Sequence, residues 1–140
     1  DTLQVLCATM TAQTLVSENC LLCPMIDARR MEVYTAMYQP TTLKKETSIQ
    51  AKVVDQTTFA PALAERQIYF FGNGADKCKQ VILSPNAYFV DNIVPHAQYM
   101  GQLAEDTALE RALDAKQMAY YEPFYLKEFV PAPSHIKGLK

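Results

Sequence analysis

The chain has 140 residues, of which 49% are hydrophobic and 20% are charged, and its formal net charge is -2. This size and composition suit one soluble domain with a sizeable core. The charge excludes a global basic field that holds nucleic acid, and no apolar stretch approaches the roughly 20 residues that span a bilayer. Because no basic-then-apolar leader is present, a cytoplasmic location without membrane association is expected.

The first half of the chain predicts a helix followed by three antiparallel strands. The apolar stripe of a helix over 2–16 is spaced i, i+3, i+4 and i+7 and consists of Leu3, Leu6, Cys7 and Met10. A continuous apolar run near 21–28 and an alternating run near 32–39 predict two strands, joined by a polar hairpin. Alternating Ile49, Ala51 and Val53 predict a third strand within 47–54.

The second half alternates between helices and strands. A capping cluster at 55–58 precedes a short helix over 59–66, where Pro61 is tolerable only in the first turn. The later predicted elements are a strand at 68–71, a short helix at 76–81, a strand at 88–90 and a long helix at 96–115. The predicted inward face of that long helix is Met100, Leu103, Ala104 and Ala108.

The residues after the long helix are rich in aromatic side chains. Their rings are candidates for stacking on RNA bases and comprise Tyr120, Tyr121, Phe124, Tyr125 and Phe129. Few basic residues lie between them, so an extended arm packed over the core is favoured. Residues 130–140 are expected to form a mobile tail.

This order of elements predicts the fold class. Three meandering strands followed by two strands with helical crossovers are the order of the ribonuclease H-like fold, which is also the repeating lobe of actin-like ATPases. We therefore predict an α/β lobe over 1–129, with a mixed five-stranded sheet and flanking helices.

Cysteine and histidine are the first candidates for metal or nucleophile chemistry. Cys7, Cys20, Cys23 and Cys78 lie in apolar surroundings, which favours reduced, buried thiols. Cys20 and Cys23 have zinc-ligand spacing, but there is no second such pair. The two histidines, His96 and His135, are far apart in the sequence, so no metal site is predicted.

Asp27 invites a second comparison, because strand-end carboxylates hold magnesium in ribonuclease H-like nucleases. Asp91 is the other carboxylate that could take part, which leaves a magnesium-dependent hydrolase as the alternative function. We favour a structural role in which Asp27 pairs with Arg29 or Arg30 or caps the turn. The two arginines could instead clamp a phosphate or carboxylate, with one of them available to a partner.

The Gly72-Asn73-Gly74 loop follows a strand and precedes a helix, where bare amides can face a phosphate. It lacks a full G-x-G-x-x-G pattern or a following Lys-Ser. The glycines therefore favour a tight turn, and independent nucleotide binding is not expected.

Three segments resemble one protein family. Residues 26–34, I-D-A-R-R-M-E-V-Y, resemble the D-A-R-R-x-E-V-Y signature of the TsaB (YeaZ) family. Residues 69–75 are similar to its strand-then-glycine loop, and residues 122–127 to its closing P-x-Y-L-R element, with Lys127 in place of the usual Arg. The signature residues carried over are Asp27, Arg29, Arg30, Glu32 and Tyr34.

The resemblance covers nearly all of this chain but only the second half of a family member, so a first lobe is expected upstream of Asp1. It implies a non-catalytic scaffold, without a cofactor, in the threonylcarbamoylation of a tRNA adenosine. The implied partners are a TsaD-like transferase and a TsaE-like ATPase, with tRNA reached only through the complex and a homodimer possible. A peptidase of the same superfamily belongs to the enzyme alternative.

Overall fold

The computed structural model describes residues 1–110, 119–120 and 122–127. Several expectations concern residues outside these ranges: the long helix beyond 110, Tyr121, Phe129, His135 and the tail at 130–140. None of the helices in the described ranges is long and apolar enough to cross a membrane.

The elements follow the predicted order. They are α1 (Thr2–Gln13), β1 (Leu21–Asp27), β2 (Glu32–Thr35), β3 (Gln50–Val53), α2 (Ala60–Glu65), β4 (Ile68–Phe71), a 3-10 turn (Asp76–Cys78), β5 (Ala87–Val90), a second 3-10 turn (Ala97–Tyr99) and α3 (Met100–Glu110). Of these, α1, β1, β2, β3 and α2 are shorter than predicted, whereas β4 has the predicted bounds and β5 is one residue longer. The side chain of Asp1 caps α1 by accepting a hydrogen bond from the Gln4 amide at 3.2 Å. Pro61 lies in the first turn of α2, as predicted.

The five strands form one sheet in the order β3-β2-β1-β4-β5. β1, β2 and β3 pair antiparallel, whereas β4 is parallel to both β1 and β5. This arrangement confirms the predicted α/β fold of the ribonuclease H-like class. It also places the carboxyl ends of β1, β4 and β5 at one edge of the sheet.

A proline in the central strand explains why β2 is shorter than predicted. Leu22 and Tyr38 exchange both backbone hydrogen bonds, and the register continues to Met25 opposite Thr35, which sets Pro24 opposite Ala36. Pro24 has no amide proton to donate at that position, so the ladder is interrupted. The hydroxyl of Thr35 donates to the Pro24 carbonyl instead, at 2.8 Å.

Both faces of the sheet are covered by apolar side chains. On one face α2 and the first 3-10 turn pack Phe59, Leu63 and Cys78 against Phe70 and its neighbours. On the other face α1 packs over the centre of the sheet, and the buried residues there are Leu3, Leu6, Cys7, Met10, Cys20, Leu22, Ala36, Tyr38, Phe71 and Ile93. Burial on both sides accounts for the continuous apolar run of β1.

Two predicted buried faces are wrong in part. Val53 is 68% exposed although Ile49 and Ala51 are half-buried, because β3 is an edge strand and α1 packs over β1. On α3, Met100 is 56% exposed, Ala104 is also exposed, and Leu103 is half-buried. The second 3-10 turn packs against α1.

The capping cluster at 55–58 is confirmed. Asp55 Oδ1 accepts hydrogen bonds from the backbone amides of Thr57 and Thr58 at 2.8 and 2.9 Å, and from both threonine hydroxyls. The side-chain hydrogen bond from Thr58, followed by that from Thr57, lowers the pKa of Asp55 to about 2.

The lowered pKa of Asp55 predicts that acid destabilises the turn at 55–58. The pKa of Asp55 falls from its ordinary 3.8 to about 2 on folding. The stability that the ionised carboxylate contributes is therefore complete above pH 3.8 and is lost as the pH falls to about 2. We expect Asp55→Asn to flatten the decline of the free energy of unfolding across that interval, measured by urea denaturation. Glu18→Gln, which removes an exposed carboxylate without hydrogen bonds to other described residues, should decline as the wild type does.

Candidate functional site

The first signature and the glycine loop meet at the carboxyl edge of β1 and β4. These strands are parallel neighbours, so the residues that follow them emerge side by side. The Asp27 amide donates to Asn73 Oδ1 at 3.0 Å, although the two residues are 46 positions apart. Crevices at the carboxyl ends of parallel strands are where α/β proteins commonly place their binding sites.

Asp27 holds this edge together. Its Oδ1 accepts a hydrogen bond from the Arg29 amide at 3.1 Å, so the predicted turn cap is present. Its charged partner is the Lys77 ammonium rather than an arginine, and Lys77 also donates to the Glu32 carbonyl at 2.7 Å. The hydrogen bond from Lys77 is the main reason that the pKa of Asp27 is lowered.

Sequence reasoning did not identify Lys77. It lies in the 3-10 turn that follows the glycine loop, and only the parallel pairing of β1 and β4 brings it over Asp27. The sequence signal that could have identified it is a basic residue in the turn after one strand (β4), when the neighbouring parallel strand (β1) ends in an acidic residue.

The two arginines form the exposed tip of the hairpin in an unusual backbone conformation. Arg29 has φ 71° and Arg30 has φ 48°, and the turn is closed by a hydrogen bond from the Glu32 amide to the Arg29 carbonyl at 3.0 Å. Left-handed backbone costs a side-chain-bearing residue roughly 1–2 kcal/mol. Neither guanidinium donates a hydrogen bond to another described residue, and both arginines are exposed.

Glu32 and Tyr34 contact Lys127, which lies in the segment similar to the closing P-x-Y-L-R element. Lys127 Nζ lies 2.6 Å from both Glu32 carboxylate oxygens and 5.9 Å from the centre of the Tyr34 ring. The Glu32 contact is the main reason that the pKa of Lys127 is raised. The structure thus brings the last of the three similar segments onto the strand that carries the first.

The glycine loop makes the predicted tight turn. Gly72 has φ +95°, and a Cβ there would lie 2.5 Å from the Met25 carbonyl oxygen. A Cβ on Gly74 would lie 3.0 Å from the Asp27 nitrogen. The Gly74 amide donates to the Met25 carbonyl at 3.0 Å and the Ala75 amide to the Gly72 carbonyl at 3.1 Å, so these donors are occupied within the protein.

The second carboxylate of the magnesium hypothesis is also engaged. Asp91 follows β5 and accepts a hydrogen bond from Lys79, which also pairs with Asp76 at 2.7 Å. Lysines therefore neutralise both Asp27 and Asp91. In the described part of the chain, no three side chains of the His, Cys, Asp or Glu types lie together as a metal-binding group.

The thiols are buried, as predicted. All four cysteines are inaccessible and unbridged. Burial raises the pKa of Cys7, and it raises that of Cys23 to about 12. A thiol whose pKa is raised by burial is a poor nucleophile at neutral pH, so these residues serve as small apolar side chains of the core.

The prediction of an aromatic arm packed over the core is wrong for the rings that the structure describes. Tyr120 is 77% exposed, Phe124 72% and Tyr125 80%. In the 122–127 segment, half-buried Leu126 and the paired Lys127 make the attachment, so the aromatic rings are left outside the core.

Comparison with known proteins supports the fold. No protein-family profile and no curated protein matches the chain. The chain is similar to the crystal structure of an uncharacterized protein with similarity to peptidase YeaZ from Pseudomonas aeruginosa, with a TM-score of 0.68 and 21% identity. That alignment covers 91% of this chain and 57% of the other. At this identity the likeness shows a shared fold, over little more than half of the neighbour's length.

The glycine geometry predicts a matched pair of stability effects. Gly72→Ala should lower the free energy of unfolding by about 2–4 kcal/mol, since it adds left-handed strain and a backbone clash. Gly101→Ala, where a Cβ meets nothing within 4 Å, should be neutral or stabilise α3 by up to about 1 kcal/mol. Thermal and urea denaturation measure both, and a Gly72→Ala variant as stable as the wild type would contradict the turn.

The left-handed backbone of Arg30 predicts that replacement of this residue by glycine stabilises the protein. Arg30→Gly should raise the free energy of unfolding by about 0.5–1 kcal/mol, because glycine adopts left-handed backbone without the steric penalty. Arg30→Ala keeps the Cβ and should show no gain. Equal stability of the two variants, compared by urea denaturation, would rule out strain at this position.

Proposed function

We propose that this chain is the C-terminal lobe of a TsaB (YeaZ)-like protein that acts as a non-catalytic scaffold. In this proposal the parent supports a TsaD-like transferase in forming threonylcarbamoyladenosine on tRNA, together with a TsaE-like ATPase. The similarity of the three segments motivates the assignment, and the fold shared with a protein similar to peptidase YeaZ supports it.

The observation that carries the scaffold role is the pairing of the strand-end charges. Asp27 is held by Lys77, Asp91 by Lys79 and Glu32 by Lys127. A carboxylate engaged by a lysine is a poor general base, since its lone pairs and charge are already used. With the thiols buried as well, this edge is better suited to recognition than to bond making.

The hairpin tip is the part of the edge that suits a partner best. Arg29 and Arg30 are exposed, and their guanidinium groups are unengaged by the described residues. Arginine is enriched among the residues that dominate protein interfaces, where its planar fork binds carboxylates. Strained backbone at such a tip is typical of a position kept for binding rather than for stability.

The scaffold role is tested by reconstitution. The full-length parent should co-purify with a TsaD-like transferase and a TsaE-like ATPase from the same organism, and its omission should abolish threonylcarbamoyl transfer to tRNA. Undiminished transfer without it would refute the proposal.

The tip is tested with paired variants of the parent. Replacing Arg29 and Arg30 together by alanine should weaken association with the transferase by about tenfold or more, as expected for hot-spot arginines. Arg66→Ala is the matched control, because Arg66 is engaged by Glu46 at 2.7 Å. Association measured by calorimetry should be unchanged in that control; an unchanged affinity of the double variant would remove the tip from the interface.

The enzyme alternative makes an opposite prediction. A magnesium-dependent hydrolase would need the ion to displace Lys77 and Lys79 from Asp27 and Asp91. The scaffold proposal expects no heat of magnesium binding to this lobe. Saturable binding that is lost in Asp27→Asn would favour the enzyme.

A further inference from the structure

Asn73 and Gly74 form the one Asn-Gly pair of the chain, since the other asparagines precede Cys20, Ala87 and Ile93. In such a pair the backbone nitrogen of the glycine can attack the side-chain amide carbon of the asparagine, because the following residue has no Cβ to obstruct the approach. The attack releases ammonia and closes a succinimide ring. Asn-Gly is for this reason the asparagine sequence most prone to spontaneous deamidation.

The fold engages both reacting groups of this pair in hydrogen bonds. The nitrogen that would attack belongs to Gly74, and its proton is donated to the Met25 carbonyl at 3.0 Å. The amide that would be attacked belongs to Asn73, whose Oδ1 accepts the Asp27 amide proton at 3.0 Å. Gly74 is buried, whereas Asn73 is exposed to water. Attack by the Gly74 nitrogen therefore requires the glycine loop to separate from β1.

Hydrolysis of the succinimide by water gives two products. Ring opening at one carbonyl gives aspartate, in which a carboxylate has replaced the side-chain amide. Opening at the other carbonyl gives isoaspartate, the usual major product, in which the main chain runs through the former side-chain carbon. Each conversion consumes one water and releases one ammonia, and it needs no oxidant or reductant.

The glycine loop has no room for the isoaspartyl product, which is longer by one backbone methylene between Gly72 and Gly74. A Cβ on Gly72 would already lie 2.5 Å from the Met25 carbonyl oxygen, and one on Gly74 would lie 3.0 Å from the Asp27 nitrogen. Contacts this close leave no space for a longer main chain, so the hydrogen bonds to β1 cannot re-form. Aspartate keeps the backbone length and can still accept the Asp27 amide proton.

We propose that Asn73 is a deamidation site that the contacts between the glycine loop and β1 keep unreactive, and that its isoaspartyl product permanently detaches the loop from β1. Detachment removes support from the strand end that leads into the hairpin tip. The modification acts as a slow, one-way switch on the carboxyl edge of the sheet. The inference does not rest on the scaffold role, because it concerns contacts within one chain.

The protective role is tested by following deamidation in the folded and the unfolded protein. Samples are incubated at mildly alkaline pH with and without guanidinium chloride, and the tryptic peptide 67–77, in which Asn73 is the only asparagine, is followed by mass spectrometry. Conversion should be at least about tenfold slower in the folded protein, a ratio set by the free energy of opening the loop. Equal rates in the two samples would overturn the proposal.

A pair of lysine variants tests whether the protection comes from β1. Lys77 ties the turn after the glycine loop to Asp27 and Glu32, whereas Lys79 pairs with Asp91 after β5. Lys77→Met should raise the deamidation rate of the folded protein about threefold, as the loss of a partly exposed ion pair implies. Lys79→Met should leave the rate unchanged, and circular dichroism confirms that both variants are folded. An unchanged rate in Lys77→Met, or an equal rise in both, would refute protection by β1.

The fate of the product is tested by hydrogen exchange. Protein deamidated in guanidinium chloride is refolded, and chromatography separates its isoaspartyl form. The Gly74 amide should exchange at least about tenfold faster in that form than in unmodified protein, whereas Asn73→Asp should stay close to unmodified protein. Failure of the isoaspartyl form to refold, while Asn73→Asp folds, supports the same conclusion. A Gly74 amide that is equally protected in the isoaspartyl and unmodified forms would overturn the detachment.

Discussion

The carboxyl edge of the sheet depends on the contacts that tie the end of β1 to the loop after β4. Asn73 accepts the Asp27 amide, and Lys77 joins the Asp27 carboxylate to the Glu32 carbonyl. The loop can approach this closely because Gly72 and Gly74 present no Cβ to the backbone of β1. These contacts hold the hairpin in register with the parallel half of the sheet.

Lysine side chains pair with the carboxylates at this edge, so those carboxylates are less able to bind a metal ion or accept a proton. The carboxylates that a nuclease-like site would use are neutralised by lysines, and the Gly74 and Ala75 amides bond to the Met25 and Gly72 carbonyls. The guanidinium groups of Arg29 and Arg30 at the hairpin tip make no hydrogen bond to the described part of the chain. This arrangement motivates the proposed role in recognition of a partner.

The ion pair between Glu32 and Lys127 links two segments that lie 95 positions apart. It involves half-buried Glu32 and Tyr34, which share one face of β2. The same short strand therefore receives Lys77 on its backbone and Lys127 on its side chains. The three similar segments are therefore distant in sequence but adjacent in space.

The sequence by itself determined the order of the elements, the hairpin, the tight glycine turn, the Asp55 cap and the burial of the cysteines. Each of these follows from local spacing or from a residue's own backbone and hydrophobic preferences. Tertiary structure alone decided that Lys77 pairs with Asp27, that Lys127 reaches Glu32, and that the rings of Phe124 and Tyr125 stay in water. It also decided that Pro24 falls opposite Ala36 and shortens β2. The reason is that such contacts depend on strand register and on which neighbour covers each face, and neither is encoded within a short stretch of chain.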